Sequence, residues 1–400
     1  MNPNCAAITG VGAVTPLGAG AEVLHTRWKA GESGLRSGVG MCHEFDPTQV
    51  MTRKEVRRTH RFVQLAVMAC DEAIQMAWGG QAPYEPERIA CILGCAFGGT
   101  GLVCEQHTVY QEGGRDAVWT LTVPVSMGNA PAAMLAIRHG LRGESYSISS
   151  ACAAGTQAIG DALAKLRLGS ADAVVAGGTE ACVTDYFQAL FRQAGALSRS
   201  GESRPFDRDR DGFVMGEGAG ILILEQPEKA LARGAEILGY VAGYASTTDA
   251  HHLTAPQQEG EMCARAMSGA IVDAGLAPLN VDYVNAHGTS TQSNDRAETV
   301  ALRKALGDHA YKVPISAPKS VLGHSIGAAG GVEAVATLMA LRDRIAPPTV
   351  GLRDPDDGLD LNYVPGKAVP LVSHSASEQL VGISNSFAFG GHNASVVLVA

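Results

Sequence analysis

The residues of this chain that could do covalent chemistry begin with one thiol. In "SISSACAAGTQAIG", residues 147–160, a strand-like run breaks at Cys152 and turns directly into a helical pattern. Free cysteine is among the most buried side chains, so Cys152 reads in one way as a small hydrophobe packed beneath a helix. It reads in another as a nucleophile at a helix N-terminus, where about half a positive charge and several unpaired N–H groups collect. A thiolate there is stabilised, so the thiol pKa is expected to fall. The same N–H groups can hold the oxyanion of a thioester attacked by that sulfur. Ala151, Ala153, Ala154 and Gly155 are small enough to leave room for a substrate chain.

Two histidines stand in matching settings. His287 follows the strand-like "VDYVNA" and precedes "GTST"; His324 follows "PKSVLG" and precedes "SIGAAGG" and a helix. Both lie at strand-to-helix connections, where α/β proteins gather catalytic groups. Neutral imidazoles there can donate N–H bonds to a carbonyl that is gaining negative charge. Lys319 reads either as a Schiff-base amine or as a structural charge, with Glu333 on the next helix as counter-charge. "NSFAFGGHN", 385–393, is a glycine-rich turn between two strands. Its Phe389 N–H offers a second oxyanion donor, and the Phe389 ring could cover a pocket.

Other motifs carry less. "GVGAVTPLG" starts like a dinucleotide fingerprint, but Thr15 and Pro16 stand where the third glycine belongs, and it reads as a turn. "GCAFGGTG" lacks the lysine ending of a phosphate loop. "HGTSTQSND" and "DAHH" have no zinc spacing and read as ordinary hydrogen-bonding groups, so no metal site is expected. Nine cysteines, an odd number without a CxxC pair, argue against a disulfide framework or structural zinc and fit reduced thiols in a cytoplasmic protein. The opening residues lack the basic start of a signal peptide, and no apolar run approaches the ~18 residues of a membrane helix.

The elements that must position these groups are α/β throughout. A chain of 400 residues, 46% hydrophobic and 18% charged, can bury a large core in two or three structural units. A net charge of −9 argues against nucleic acid or an anionic membrane as partner. Strands are expected at "CAAITGVGAV" (with a turn), "IACILGCAF", "SYSISSA", "DAVVAGGTEA", "GAGILILEQ", "EILGYVAGYAS" and "VDYVNAHG", and in two runs at the C-terminus. Helices are expected over 56–77, from "GTQAIG" to Gly169, over 258–275 and 294–306, and along "GAAGGVEAVATLMALRD". The alternation runs twice, which suggests two similar halves sharing one core.

"SSACAAG", "NAHGTST", "KSVLGHSIGAAGG" and "NSFAFGGHN", in this order, resemble the elongating β-ketoacyl-acyl carrier protein synthases of fatty-acid and polyketide synthesis. "ITGVGAVTPLG" and "SRPFDRDRDGFVMGEGAG" fit as well, so the likeness spans essentially the whole chain. It implies a thiolase-like fold, a five-layered αβαβα sandwich of two similar halves, here drawn as 1–245 with the nucleophile and 246–400 with both histidines. It implies Cys152 as acyl acceptor, His287 and His324 as the pair that binds the malonyl thioester carbonyl, and Lys319 and Glu333 as the charged pair behind them. The Cys152 and Phe389 N–H groups match the oxyanion hole and the Phe389 ring the gate. Thr289, Thr291 and Thr254 match contacts to the phosphopantetheine arm, and Val103 and Met127 align near the acyl-pocket wall. The resemblance also places Lys54, Arg57 and Arg58, within "RKEVRRTHR", where an acidic acyl carrier protein docks.

The reaction so implied is a decarboxylative Claisen condensation of an acyl-enzyme with malonyl carrier protein, giving a 3-ketoacyl product and CO2. No cofactor is implied beyond the phosphopantetheine that the carrier protein brings. The expected assembly is a dimer: a homodimer, or a heterodimer with a chain-length-factor-like subunit as in type II polyketide or polyene systems. Ala388 and His392 depart from the usual FGFGGT gate sequence, and Ala388 is expected to stiffen it. A degradative thiolase would need a second reactive cysteine near the C-terminus, and Cys263 is the last one. A silent partner subunit would lack the nucleophile.

Overall fold

Apolar runs and helical patterns fold into two copies of one sheet. The structure, a computed structural model, describes residues 4–374 and 378–400. In the first half β1 (Ala6–Thr15) leads through α1 (Ala21–Lys29) and α2 (Arg61–Trp78) to β2 (Ile89–Gly94). Then come α3 (Thr100–Gly113), α4 (Ala130–His139), β3 (Ser145–Ile148), α5 (Ala154–Arg167), β4 (Ala173–Glu180), α6 (Asp185–Gln193) and β5 (Gly218–Glu225). The second half runs β6 (Gly239–Thr248), α7 (Glu261–Asp273), β7 (Tyr283–Asn285), α8 (Gln292–Leu306), β8 (Ile315–Ser316), α9 (Ala329–Asp343), β9 (Val381–Ala388) and β10 (His392–Val399).

The sheet order is β3-β2-β4-β5-β1 followed by β6-β10-β9-β7-β8. Adding five to each label of the first half reproduces the neighbours of the second. Directions repeat too. β2 is parallel to β3 and β4, as β7 is to β8 and β9. β5 is antiparallel to β4 and β1, as β10 is to β9 and β6. The halves meet edge to edge where Ala6–Ile8 pair with Gly239–Val241.

Helices complete the five layers. α2 covers β1 and β5 from outside, and α7 covers β6 and β10 in the same way. Between the sheets lie α5 and α9, packed on each other. α9 is buried on every side from Ala329 to Leu341, as a central helix without a polar stripe must be. The α5–α9 crossing requires glycine: a Cβ on Gly155 would stand 2.6 Å from the Gly331 nitrogen. Leu163, Val174, Leu222, Val335 and Leu398 belong to the core between the sheets. Each such side chain, fully buried, contributes roughly 1.5–3 kcal/mol.

Several expectations are corrected. "GVGAVTPLG" is not a turn from its start; Gly10 and Gly12 lie inside β1. They are small because α2 crosses there, and a Cβ would meet the Ala73 and Ala69 carbonyl oxygens at 2.1 and 1.9 Å. The helix expected over 56–77 is two pieces. A short helix, Arg53–Val56, starts at a Thr52–Glu55 capping box, and extended His60 separates it from α2. Helices α3 and α4 gave no usable pattern, because Val103, Tyr110 and Ile137 on them are exposed. Position 245 falls within β6. No helix among the described residues is long and apolar enough to cross a membrane.

Candidate active site

Between β3 and α5 the chain turns sharply. Ala151 takes φ +51°, a left-handed conformation that costs a residue with a Cβ about 1–3 kcal/mol. Cys152 follows it, one residue before the N-cap Ala153. Only 9% exposed, Cys152 lines a pocket of about 420 Å³. The equivalent connection of the second half, between β8 and α9, carries His324. Its backbone is tied to the 214–216 segment, with His324 N donating to Val214 O at 2.7 Å and Gly216 N to His324 O at 2.9 Å. His324 Nε2 lies 2.9 Å from Cys152 Sγ.

His287 sits at the end of β7. The Glu298 carboxylate, reaching back from α8, accepts the His287 and Gly288 N–H groups at 2.8 Å each. The two imidazole rings stand edge to face, 5.4 Å between centroids. One ligand-type atom from each of Cys152, His287 and His324 lies within 4.8 Å of the others. Lys319 Nζ bonds both the Glu333 carboxylate and, at 3.3 Å, His287 Nδ1. An ammonium has only protons to give, so Nδ1 accepts and the imidazole proton sits on Nε2. Lys319 is thus engaged as a charge rather than presented as a free amine.

The electrostatics correct one expectation. Burial pushes the Cys152 thiol up to about 12, with the Glu333 charge adding to the rise. The Lys319 charge and the Cys152 and Phe389 N–H groups pull the other way and lose. The resting sulfur is therefore a thiol and not the helix-stabilised thiolate expected from position, because desolvation outweighs the terminal N–H groups. Burial, with the nearby Lys319 charge, also holds both histidines well below the ordinary imidazole range, so both rings are neutral. Glu333 is raised to about 7 by burial, against the pull of Lys319.

The Phe389 N–H acts on the same sulfur as the Cys152 N–H. Phe389 follows the terminal β9–β10 pair, Ala388 with His392, and enters a turn through Gly390 and Gly391 at φ +86° and +74°. Its ring lines the pocket and is 38% exposed. Thr289 and Thr291 line the pocket with their hydroxyls 2.9 Å apart, and Thr254 lines it from the loop before α7. Val103 and Met127 do not line it. They are 47% and 51% exposed on the outer surface of the chain. The apolar wall comes instead from Phe97, Phe191 and Phe213. Phe97 stacks edge-on against Phe187 and Phe191, at 4.8 and 5.8 Å. Lys54, Arg57 and Arg58 are exposed and line a groove with Trp119, Thr120 and Leu121. Among the described residues no carboxylate pairs with these three, whereas Arg61 pairs with Glu217 and Arg138 with Asp71.

Sequence reasoning missed two buried carboxylates. Glu298 fixes the His287 turn. Glu180, at the end of β4, accepts the N–H groups of Ala96, Phe97 and Gly98 at 2.8–3.1 Å. A carboxylate inside an apolar run, as in "VVAGGTEA", was the available signal.

Residues 38–230 match the family described as Beta-ketoacyl synthase, N-terminal domain, and 238–353 its C-terminal domain. The chain belongs to the β-ketoacyl synthase family. A 3-oxoacyl-[acyl-carrier-protein] synthase 2 from Synechocystis is 43% identical, over 96% of this chain and 95% of its own. The protein of the same name from Rhizobium meliloti is 39% identical over 98% and 97%. Among solved structures, a type II polyketide ketosynthase in complex with its acyl-carrier protein superposes with a TM-score of 0.89, at 29% identity and 99% coverage of both chains. The ishigamide ketosynthase/chain length factor gives 0.88 at 32% identity, covering 98% of each. These neighbours bear out the thiolase-like fold, and this ketosynthase carries its cysteine and both histidines in one pocket.

Proposed function

We propose that this synthase condenses an acyl group held on Cys152 with a malonyl thioester on a carrier protein, releasing CO2 and a 3-ketoacyl thioester. The observation that carries the reading is the convergence of one thiol, two neutral imidazoles and two backbone N–H donors at a single pocket.

In the first half reaction Cys152 sulfur attacks the acyl carbonyl. Its proton passes to His324 Nε2, 2.9 Å away, as the C–S bond forms. The Cys152 and Phe389 N–H groups hold the oxyanion. It collapses, and the departing carrier thiol takes the proton back from His324. A thiol pushed up to about 12 makes this coupling necessary, because little free thiolate exists at neutral pH. In the second half reaction the malonyl C–C bond breaks and CO2 leaves. The electron pair enters an enolate whose oxygen accepts from His287 Nε2–H and, once acylated Cys152 has no S–H to give and solvent has moved the ring proton from Nδ1 to Nε2, from His324 Nε2–H. The enolate carbon attacks the acyl-enzyme carbonyl, the C–S bond breaks, and the departing cysteine thiolate takes one proton from solvent. Lys319 fixes the His287 tautomer, and Glu333 balances its charge. Decarboxylation replaces the removal of a carbon-bound proton, so the cycle draws on no resident cofactor or metal.

Acyl carrier protein is the proposed partner, docking on Lys54, Arg57 and Arg58, whose unpaired charges suit an acidic surface. Thr254, Thr289 and Thr291 receive the phosphopantetheine arm. Exposed Val103, Tyr110, Val123, Met127 and Ile137 support a second subunit over the first half, either another copy or a chain-length-factor-like chain. Nine free cysteines fit a cytoplasmic setting. The test is Cys152→Ala incubated with acyl carrier protein: the acyl mass increment on the synthase disappears. An increment retained on another residue would falsify the assignment.

A further inference from the structure

The loop between β6 and α7, residues 249–260, has no regular secondary structure, yet it forms one side of the pocket through Asp249, Thr254, Ala255 and Pro256. It is tied to the Phe389 turn at three points. Asp249 N donates to Gly391 O at 2.8 Å, and Gly390 N donates to Leu253 O at 2.7 Å. Asn393 Nδ2 donates to the Asp249 carboxylate at 2.7 Å. The stretch that carries Thr254 needs a shape of its own, and one side chain supplies it. His252 Nδ1 accepts the Thr254 and Ala255 N–H groups, each at 3.1 Å, with the Thr254 hydroxyl at 3.4 Å. An imidazole nitrogen offers a single lone pair, and here two backbone donors share it, so the ring proton sits on Nε2.

We propose that His252 is a positioning residue for the carrier-borne substrate. Its Nδ1 curls residues 252–255 into the turn that presents Thr254 to the pocket and aims the Leu253 carbonyl at Gly390. The ring does not line the pocket and is exposed, so it acts through Thr254 rather than on the reacting atoms. The assignment rests on the reading of Thr254 as a contact to the phosphopantetheine arm. Only an acceptor at the Nδ1 position is required. Asparagine can place its amide oxygen near that point, as it does in Asx turns, whereas alanine cannot.

The experiment compares His252→Ala and His252→Asn with the unaltered chain, following Cys152 acylation by an acyl carrier protein thioester. His252→Ala raises KM about five- to tenfold, the effect expected of losing a shared pair of hydrogen bonds, with kcat within about twofold. His252→Asn brings KM back to within about twofold of the unaltered chain. A KM unchanged in His252→Ala, or an asparagine variant no better than alanine, overturns the proposal while the synthase reading stands. Failure of the unaltered chain to acylate at Cys152 removes both.

Discussion

The loop after β2 and the loop after β7 occupy equivalent places in the two halves and are held by the same device. In each, a buried carboxylate accepts consecutive backbone N–H groups: Glu180 those of residues 96–98, Glu298 those of residues 287 and 288. Burial raises both carboxylates to about 7. What the loops present is different. The first offers a phenyl ring to an apolar wall, the second an imidazole to the pocket and to a lysine. The connections after β3 and β8 diverge likewise, one into Cys152 and the other into His324. Duplication thus supplies rigid, paired platforms at the carboxyl ends of the strands, and single residues on them divide the labour between holding a chain and reacting with it.

The sharpest way to break this comparison is to remove the imidazole from the second loop. His287→Ala lowers malonyl decarboxylation by about a hundredfold or more, while Cys152 still acylates, because His324 and not His287 bonds the sulfur. Equal loss of both steps, followed by CO2 release and protein mass, would show that the two imidazoles are not divided in this way.

The thiol gives the next test. Because Cys152 is raised to about 12, its thiolate fraction keeps growing with pH. Alkylation by iodoacetamide should therefore climb about tenfold per pH unit through pH 9, where an ordinary thiol levels off near ~8.5. A plateau below pH 8 contradicts the desolvated ground state.

Reversing the charge of Lys54, Arg57 and Arg58 together lies outside both loops. It raises KM for acyl and malonyl carrier protein alike, about tenfold at low salt and less at high salt, with kcat preserved. Saturation kinetics at two ionic strengths decide it. The smallest change is expected from Phe97→Ala. It alters the relative kcat/KM of short and long acyl donors by a few fold in favour of the longer, since a ring is removed from the wall, and leaves decarboxylation as it was. A selective loss of decarboxylation would mean that the first loop shares the chemistry of the second.

Much of this was legible in the chain. Local strand-to-turn patterns put Cys152, His287, His324 and Phe389 at connections, the family resemblance gave them their roles, and the doubled alternation hinted at the repeated sheet. The thiol's titration was not legible, since it depends on how thoroughly distant segments exclude water from one sulfur. The pocket wall was hidden for the same reason: Phe97, Phe191 and Phe213 are far apart in sequence. Gly10 and Gly12 misled because their smallness serves a helix some sixty residues on, not a bend in their own backbone. On α3 and α4, outward-facing Val103, Tyr110 and Ile137 blur the stripe that buried Leu102, Ala132 and Leu135 would otherwise give.

The contact of α5 with α9 through Gly155 has a consequence for synthesis of the chain. The thiol emerges from the ribosome before its base, which lies 172 residues further on, and before its second oxyanion donor, which follows later still. Until the β9–β10 hairpin has formed, the nascent polypeptide carries an idle sulfur, so catalysis waits on a pairing far downstream of the nucleophile.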